Sequence, residues 1–271
     1  SNCVILTDTD LFPPGTGSLN GLKIYGEESG KVISYAATMA HASESGLSRL
    51  FDNLLESEGG RLEPLEELSF YEEGGVSGLI HGETVLFGTA AFCRKMRVTM
   101  PGGLNLKTGA FLAVDGALIA IFAVKYTAAE NVDWALHALK RNHITPVLAV
   151  RDGSITPALL KRKFGTDARA VYPTISTRLA HSEQDGEHPY ALLYREGLMP
   201  YAEVAVGSKR LVHAVRTAAA LSLAGSAVSA LLAFYLTFVG AYRALTPVSM
   251  LLYLALWALA ALLEGLWVDR Y

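Results

Sequence analysis

The hydrophobic positions of this chain follow two periods in turn and then become continuous. Val4-Ile5-Leu6 is a short apolar run that predicts a buried strand, and it ends in Thr7-Asp8-Thr9-Asp10. A buried strand that delivers carboxylates at its C-terminal end is the site geometry of an open α/β sheet. Pro13-Pro14-Gly15 and Gly17 predict a loop, and residues 22–24 a strand. From Lys31 to Leu55 apolar residues recur at three and four: Ile33, Ala36, Ala37 and Ala40, then Leu47, Leu50, Phe51, Leu54 and Leu55. That period predicts helices. Residues 57–67 are acidic and loop-like. Two short runs on either side of His81-Gly82-Glu83 predict a β-hairpin, and runs at 112–114 and 117–124 around Asp115-Gly116 predict a second. Residues 128–141 read as an amphipathic helix, 146–150 as a strand ending at Arg151-Asp152-Gly153, and 155–164 as a short helix. Strand and helix alternating at this spacing predict an α/β fold with a parallel sheet. The β-rich middle would be an insertion after the first strand.

The end of the chain has a different pattern. Residues 217–242 carry no charge, and at about 1.5 Å per residue they exceed a hydrocarbon core of ~30 Å. Arg243 and Pro247 mark a short turn. Residues 248–268 form a second apolar run with one charge, Glu264. The pattern predicts a transmembrane hairpin over 209–271, with the lipid bilayer as partner. Lys209, Arg210 and Arg216 precede it, Arg270 follows it, and only Arg243 lies in the turn. Positive flanks mark the cytoplasmic side, so both ends and the preceding α/β region are expected there. Tyr242, Trp257, Trp267 and Tyr271 would serve as interface anchors. Ala218, Ser222, Ser226 and Ala230 lie four apart, a stripe that lets another transmembrane helix approach.

Composition agrees with an anchored protein. Of 271 residues 51% are hydrophobic and 18% charged, and the net charge of −3 supplies no basic field for nucleic acid. Cys3 and Cys93, the two cysteines, fit a reducing compartment and exclude a disulfide scaffold or a four-cysteine zinc site. The seven histidines show no ligand spacing. A chain that begins inside a core strand is expected to be part of something longer.

A strand ending in aspartate, a long α+β insertion, a return to strand-helix-strand and then a membrane hairpin resembles the C-terminal half of a P-type ATPase, nearest the heavy-metal-transporting branch. Asp8 falls where that family carries its phosphorylated aspartate, in Asp-Lys-Thr-Gly-Thr. The run GGVSGLIHGETVLFGT is similar to the family's glycine-rich hairpin, and Ser43-Glu44-Ser45-Gly46 sits where Ser-Glu-His-Pro is expected. VDGALIAIFAV matches the strand pair that re-enters the phosphorylation domain, and EGLMPYAEVAVGSKRLVHAVR looks like the lead-in to the last two membrane helices. The resemblance implies a haloacid-dehalogenase-like (Rossmann-like) phosphorylation domain over 1–25 and 111–208, a nucleotide-binding-like domain over 26–110, and membrane helices at about 217–242 and 248–268. It implies Asp8, Asp10 and Asp152 as catalytic residues, Glu44, Gly75 and Gly78 at a nucleotide, and Asp8 with Asp185 at a metal. ATP and Mg²⁺ are the implied cofactors, further transmembrane helices the implied partners, and a bacterial plasma membrane the implied location.

The chemical motifs depart from the family pattern. After Asp8 the lysine has become Thr9, the glycine Leu11, and the two threonines Asp10 and Phe12. Thr-Gly-Asp has become Val150-Arg151-Asp152. The lysine after Pro-x-x is replaced in Pro173-Thr174-Ile175-Ser176. Asp185-Gly186-Glu187-His188 is the nearest remnant of the Mg²⁺-binding Gly-Asp-Gly-x-Asn-Asp. Phosphoryl transfer relies on cations and donors around the phosphate, so the losses reach the chemistry itself. Three readings follow: a degenerate or regulatory relative, an active cation transporter phosphorylated on Asp8, or a Mg²⁺-dependent phosphatase using Asp8 as nucleophile and Asp10 as general acid and base.

Overall fold

The computed structural model describes residues 3–103, 106, 108–165, 170–183, 193–241, 243 and 246–266. Two compact units divide the chain, one up to Ala202 and one from Glu203.

The first unit is a mixed α/β structure with one parallel and one antiparallel sheet. Strand β1 (Cys3–Leu6) pairs in parallel with β8 (Thr145–Leu148), with Cys3 opposite Thr145 and Leu6 opposite Leu148. Val147 bridges Val171, again in parallel. Val4, Leu6 and Leu148 are buried. Both strands stop at loops that converge on one another, because Ala149 N–H donates to Leu6 O.

Between these strands lies a six-stranded antiparallel sheet, in the order β2 (Gly17–Ile24), β7 (Ala117–Tyr126), β6 (Gly109–Val114), β5 (Glu83–Gly88), β4 (Gly75–Ile80), β3 (Leu65–Tyr71). Both predicted hairpins form. Their two-residue turns, His81-Gly82 and Asp115-Gly116, have positive φ at each position (53° and 80°; 45° and 80°), the geometry whose twist matches the flanking strands. Asp115 Oδ1 accepts from Thr84 N–H at 2.9 Å.

Helices α2 (Ser29–Ala42) and α3 (Ser48–Ser57) lie against this sheet. Phe51 of α3 meets Phe87 and Phe122 edge-on, with ring centroids 5.3 and 4.9 Å apart. Helix α4 (Ala90–Lys95) packs with Phe92 and Cys93 against Leu86, Phe111, Ala113 and Ile121. Side chains alternate across a strand, so Leu86 and Phe87 serve opposite faces.

One pairing differs from the sequence expectation. The 112–124 hairpin, expected to re-enter the parallel sheet, instead pairs with β5 on one side and β2 on the other. Every residue of β6 is buried, as befits a central strand covered on both faces. The strands hydrogen-bonded into the antiparallel sheet run from Gly17 to Tyr126. Helix α5 (Glu130–Arg141) leads back to β8.

Helix α6 (Pro157–Phe164) follows β8. Thr156 Oγ1 accepts from Leu159 N–H at 3.3 Å, Pro157 opens the first turn, and Gly165 closes the helix at φ 58°. Thr156→Ala is expected to lower stability by about 1 kcal/mol, read as a drop in the denaturation midpoint. Helix α7 (Ile175–Ser182) completes this unit's named helices.

Two long helices end the chain, α8 (Leu198–Phe238) and α9 (Pro247–Leu266), both long and apolar enough to cross a membrane. The sequence predicts the first from residue 217, but helix begins at Leu198. Pro200 lies in the first turn, where its missing N–H costs nothing, and no further proline follows before the apolar run. The end of α8 is capped by Gly240 at φ 72°, with Ala241 N–H donating to Leu236 O. Thr246 caps α9 by accepting from Ser249 N–H. Leu223, Leu231, Phe234 and Phe238 on α8, and Leu251, Leu254 and Leu262 on α9, are exposed. Apolar surface of that extent is stable in lipid and costly in water. Of the expected interface anchors, Tyr242, Trp267 and Tyr271 lie outside the described residues.

The two helices meet through small and polar groups. Thr217 Oγ1 donates to Glu264 Oε1 at 2.9 Å, and Tyr253 OH donates to Gly225 O at 3.2 Å. A Cβ on Gly225 would stand 2.9 Å from the Trp257 ring, so glycine permits that approach. Ser222, Ser226 and Ala230 of the predicted stripe remain exposed.

Candidate functional site

Helix α1 (Asp8–Leu11) begins directly after β1, which makes Asp8 its first residue. The carboxylate points at the loop after β8. Asp8 Oδ2 accepts from Arg151 N–H and Oδ1 from Asp152 N–H, both at 2.9 Å. Asp8 is 4% exposed. The loop joining α2 to α3 lies against it: a Cβ on Gly46 would be 2.8 Å from Asp8 Cβ. Burial first, and then the Asp152 carboxylate, push the Asp8 carboxyl up to about 7; the two backbone N–H groups act in the opposite sense.

Asp152 is buried beside Asp8 and also raised by burial. It accepts from Tyr126 OH and from Ser154 N–H. Burial and Asp152 hold the Tyr126 hydroxyl well above the usual phenol range, so it serves as a donor. Asp10 is turned away from Asp8: its Oδ2 accepts from Thr7 N–H at 2.8 Å and Thr7 Oγ1 at 2.7 Å. These bonds close the first turn of α1 as a capping box does. Asp185 lies outside the described residues.

Glu44 is a non-glycine residue in the left-handed region, at φ 50°. Its carboxylate meets Arg151 Nη1 at 2.9 Å. Arg151 Nε donates to Ser182 Oγ at 3.0 Å, and Nη2 reaches Glu183 at 3.2 Å. Arg178 of α7 is fully buried. It donates to Val150 O at 3.2 Å and Tyr172 OH at 2.8 Å, and its guanidinium lies over the Tyr172 ring.

The glycines of the β4 hairpin are set by packing. A Cβ on Gly75 would fall 2.0 Å from the Phe92 ring, and one on Gly78 2.5 Å from Leu65. A Cβ on Gly153 would lie 2.2 Å from Gly74 Cα, so the hairpin rests backbone to backbone on the Asp152 loop. The hollow between Ser43, Ser45, Gly74, Gly75 and Arg151 to Ser154 is about 30 Å³. That is the scale of a water molecule; small-molecule pockets run to roughly 300–1,000 Å³. A hollow of that size does not hold ATP. A larger cavity of about 730 Å³ borders Asp8, Pro13, Pro14, Leu47, Leu50 and Ile155. Its polar lining includes Asp8, Ser45, Arg49 and Asn53, besides Glu44, which is paired with Arg151, and His41, 3.6 Å from Asp52.

Among the described residues no Mg²⁺ ligand set is assembled, and Asp185, the second expected ligand, lies outside them. Mg²⁺ requires near-octahedral oxygen ligands and keeps several waters. Both Asp8 oxygens already take backbone N–H bonds, the Asp152 carboxyl is committed to Tyr126 and Ser154, and both groups are buried. Among the described residues no three His, Cys, Asp or Glu side chains gather as a metal set.

Of the residues singled out in the sequence, the structure brings together Asp8, Asp152 and Glu44, the last through Arg151. It separates Asp10 by its capping bonds, and Gly75 and Gly78 by their packing. Sequence reasoning missed Tyr126, Gly46 and the lateral reach of Arg151. An arginine in place of the family's glycine was the one available signal.

No protein-family model matches the sequence, and no curated protein does. Solved structures do. The catalytic domain of the CPx-ATPase CopB-B is 15% identical, with a TM-score of 0.41 over 63% of this chain and 60% of that one. The N-domain of HMA8, a copper-transporting P-type ATPase, is 18% identical, with a TM-score of 0.33 over 39% of this chain and 98% of that one. A zinc-transporting PIB-type ATPase is 16% identical, with a TM-score of 0.31 over 61% of this chain and 28% of that one. The chain is similar to catalytic regions of heavy-metal P-type ATPases. It spans 60% of the CopB-B domain's length.

Proposed function

We propose that this chain is a membrane-anchored, P-type ATPase-like protein whose phosphorylation site is silent, a degenerate or regulatory relative of a cation-transporting ATPase in a bacterial plasma membrane with its α/β unit in the cytoplasm. One observation carries the reading: the Asp8 carboxyl is buried, each of its oxygens takes a backbone N–H, and Gly46 lies against its Cβ. A nucleophilic carboxylate has to be ionised and within about 3–3.5 Å of the phosphorus it attacks. Burial and the neighbouring Asp152 carboxylate raise the Asp8 carboxyl to about 7, so a share of it is protonated near neutral pH. The missing lysine and hydroxyls point the same way, since little remains to neutralise a transferring phosphoryl group. The capping role of Asp10 weighs against the phosphatase alternative, because a general acid needs a carboxyl free to face the leaving group.

The test is to incubate the full chain in detergent with γ-labelled ATP and Mg²⁺ and quench it in acid. The expected result is no label above that on Asp8→Asn. A hydroxylamine-labile label present on the wild type and absent from Asp8→Asn would overturn the reading.

A further inference from the structure

The loop between α2 and α3 is held over Asp8 by a tie made from the side of the parallel sheet. Its own bonds are local: Ser43 N–H to Met39 O, Glu44 N–H to His41 O, and Ser48 N–H to Ser45 O. Ser45 Oγ is buried without a hydrogen-bond partner. Arg151 supplies the long-range contacts. Its Nη1 meets Glu44 at 2.9 Å and Ser43 O at 3.4 Å, while Nε and Nη2 are braced on Ser182 and Glu183 of the α7 end. Its main-chain N–H holds Asp8 Oδ2. One residue thus joins the Asp8 carboxylate, the covering loop and α7.

We propose that Arg151 is a latch: its guanidinium holds residues 43–46 closed across Asp8, and loss of that grip opens the loop while the rest of the fold stays intact. This deepens the reading of a silent site by naming what shuts it. The burial is asymmetric in the way a latch requires. The Arg151 side chain is 8% exposed and anchored, whereas the Glu44 side chain is 73% exposed. A pair with one partner in water is weak and sensitive to salt. Guanidinium is suited to the task, since its planar fork reaches several acceptors at once and keeps its charge.

Hydrogen exchange of the full chain in detergent, read by mass spectrometry, tests the latch. Arg151→Ala is expected to speed exchange across 43–48 by roughly tenfold with 130–141 unchanged as internal reference. Glu44→Ala is expected to do the same to a smaller degree, and the double variant to add little to Arg151→Ala. Unchanged exchange at 43–48 in both single variants would overturn the latch. If Arg151→Ala also speeds exchange at 130–141, Glu44→Ala alone decides: faster exchange at 43–48 supports the latch and unchanged exchange overturns it. The labelled-ATP assay on the same variants separates the two claims. Label on the wild type would overturn the silent site whatever the exchange data show; label confined to an opened Arg151→Ala protein would support the latch and overturn loss of the motifs as the cause of silence, and no label on either would leave both claims standing.

Discussion

Wild-type protein is expected to lose stability as pH rises from 4 to above 7, and Asp8→Asn to lose most of that dependence. The Asp8 carboxyl moves from 3.8 in the unfolded chain to about 7 in the fold. Between those values the folded state holds a proton that the unfolded state has released, so folding binds protons and stability falls with rising pH. Roughly three pH units at about 1.4 kcal/mol each make about 4 kcal/mol across the window. Asp152, raised in the same direction, adds to the slope. Asn at position 8 cannot ionise; it loses one acceptor, which leaves the Arg151 or Asp152 N–H unpaired at about 1–3 kcal/mol. The variant should therefore be the less stable protein at pH 4 and close the gap by pH 8. Denaturation midpoints at four or five pH values in detergent check this. A wild-type midpoint that rises over the same window would contradict the buried, proton-holding Asp8.

Gly75→Ala is expected to destabilise the fold by about 3 kcal/mol, at the upper end of ordinary overpacking. The added methyl would stand 2.0 Å from Cδ1 of Phe92, a fully buried ring held between Tyr71, with centroids 5.1 Å apart, and the α4 face of the sheet. Gly88 blocks retreat, since its own Cβ position is 2.4 Å from Gly75 Cα. Phe92→Leu in the same chain should recover part of the loss by making room. A glycine kept for a ligand would behave otherwise: its alanine variant would weaken nucleotide binding at nearly constant stability. The denaturation midpoint of the single and double variants distinguishes the two roles without any ligand.

Local elements are the legible part of this fold. The alternation that predicts the β4–β5 hairpin, the three-four period of α5 and the apolar run of α9 are all satisfied within one element and its immediate neighbours. The partner of a fully apolar strand is a different matter. β6 would suit the centre of either sheet, and only the flanking pairings with β5 and β7 decide. The start of α8 escaped because a hydropathy pattern sees the lipid-facing segment and not its helical approach, where Glu203, Lys209 and Arg210 break the run. At the site, the convergence of Asp8 and Asp152 could be expected from two strand ends. The filling of the space between them could not. Gly46, Arg151 and Tyr126 reach the carboxylates from separate elements, and no spacing along the chain encodes that meeting.

The β4–β5 hairpin has two unlike ends. At His81-Gly82 the turn is open, and a Cβ on Gly82 would meet nothing within 4 Å. At Gly74 the backbone lies directly on Gly153, with no side chain between them. Reporter groups and inserted residues belong at the first end, where the chain has slack. At the second, two stretches of main chain serve as each other's mould, so a single methyl on either is a wedge between the glycine hairpin and the aspartate loop.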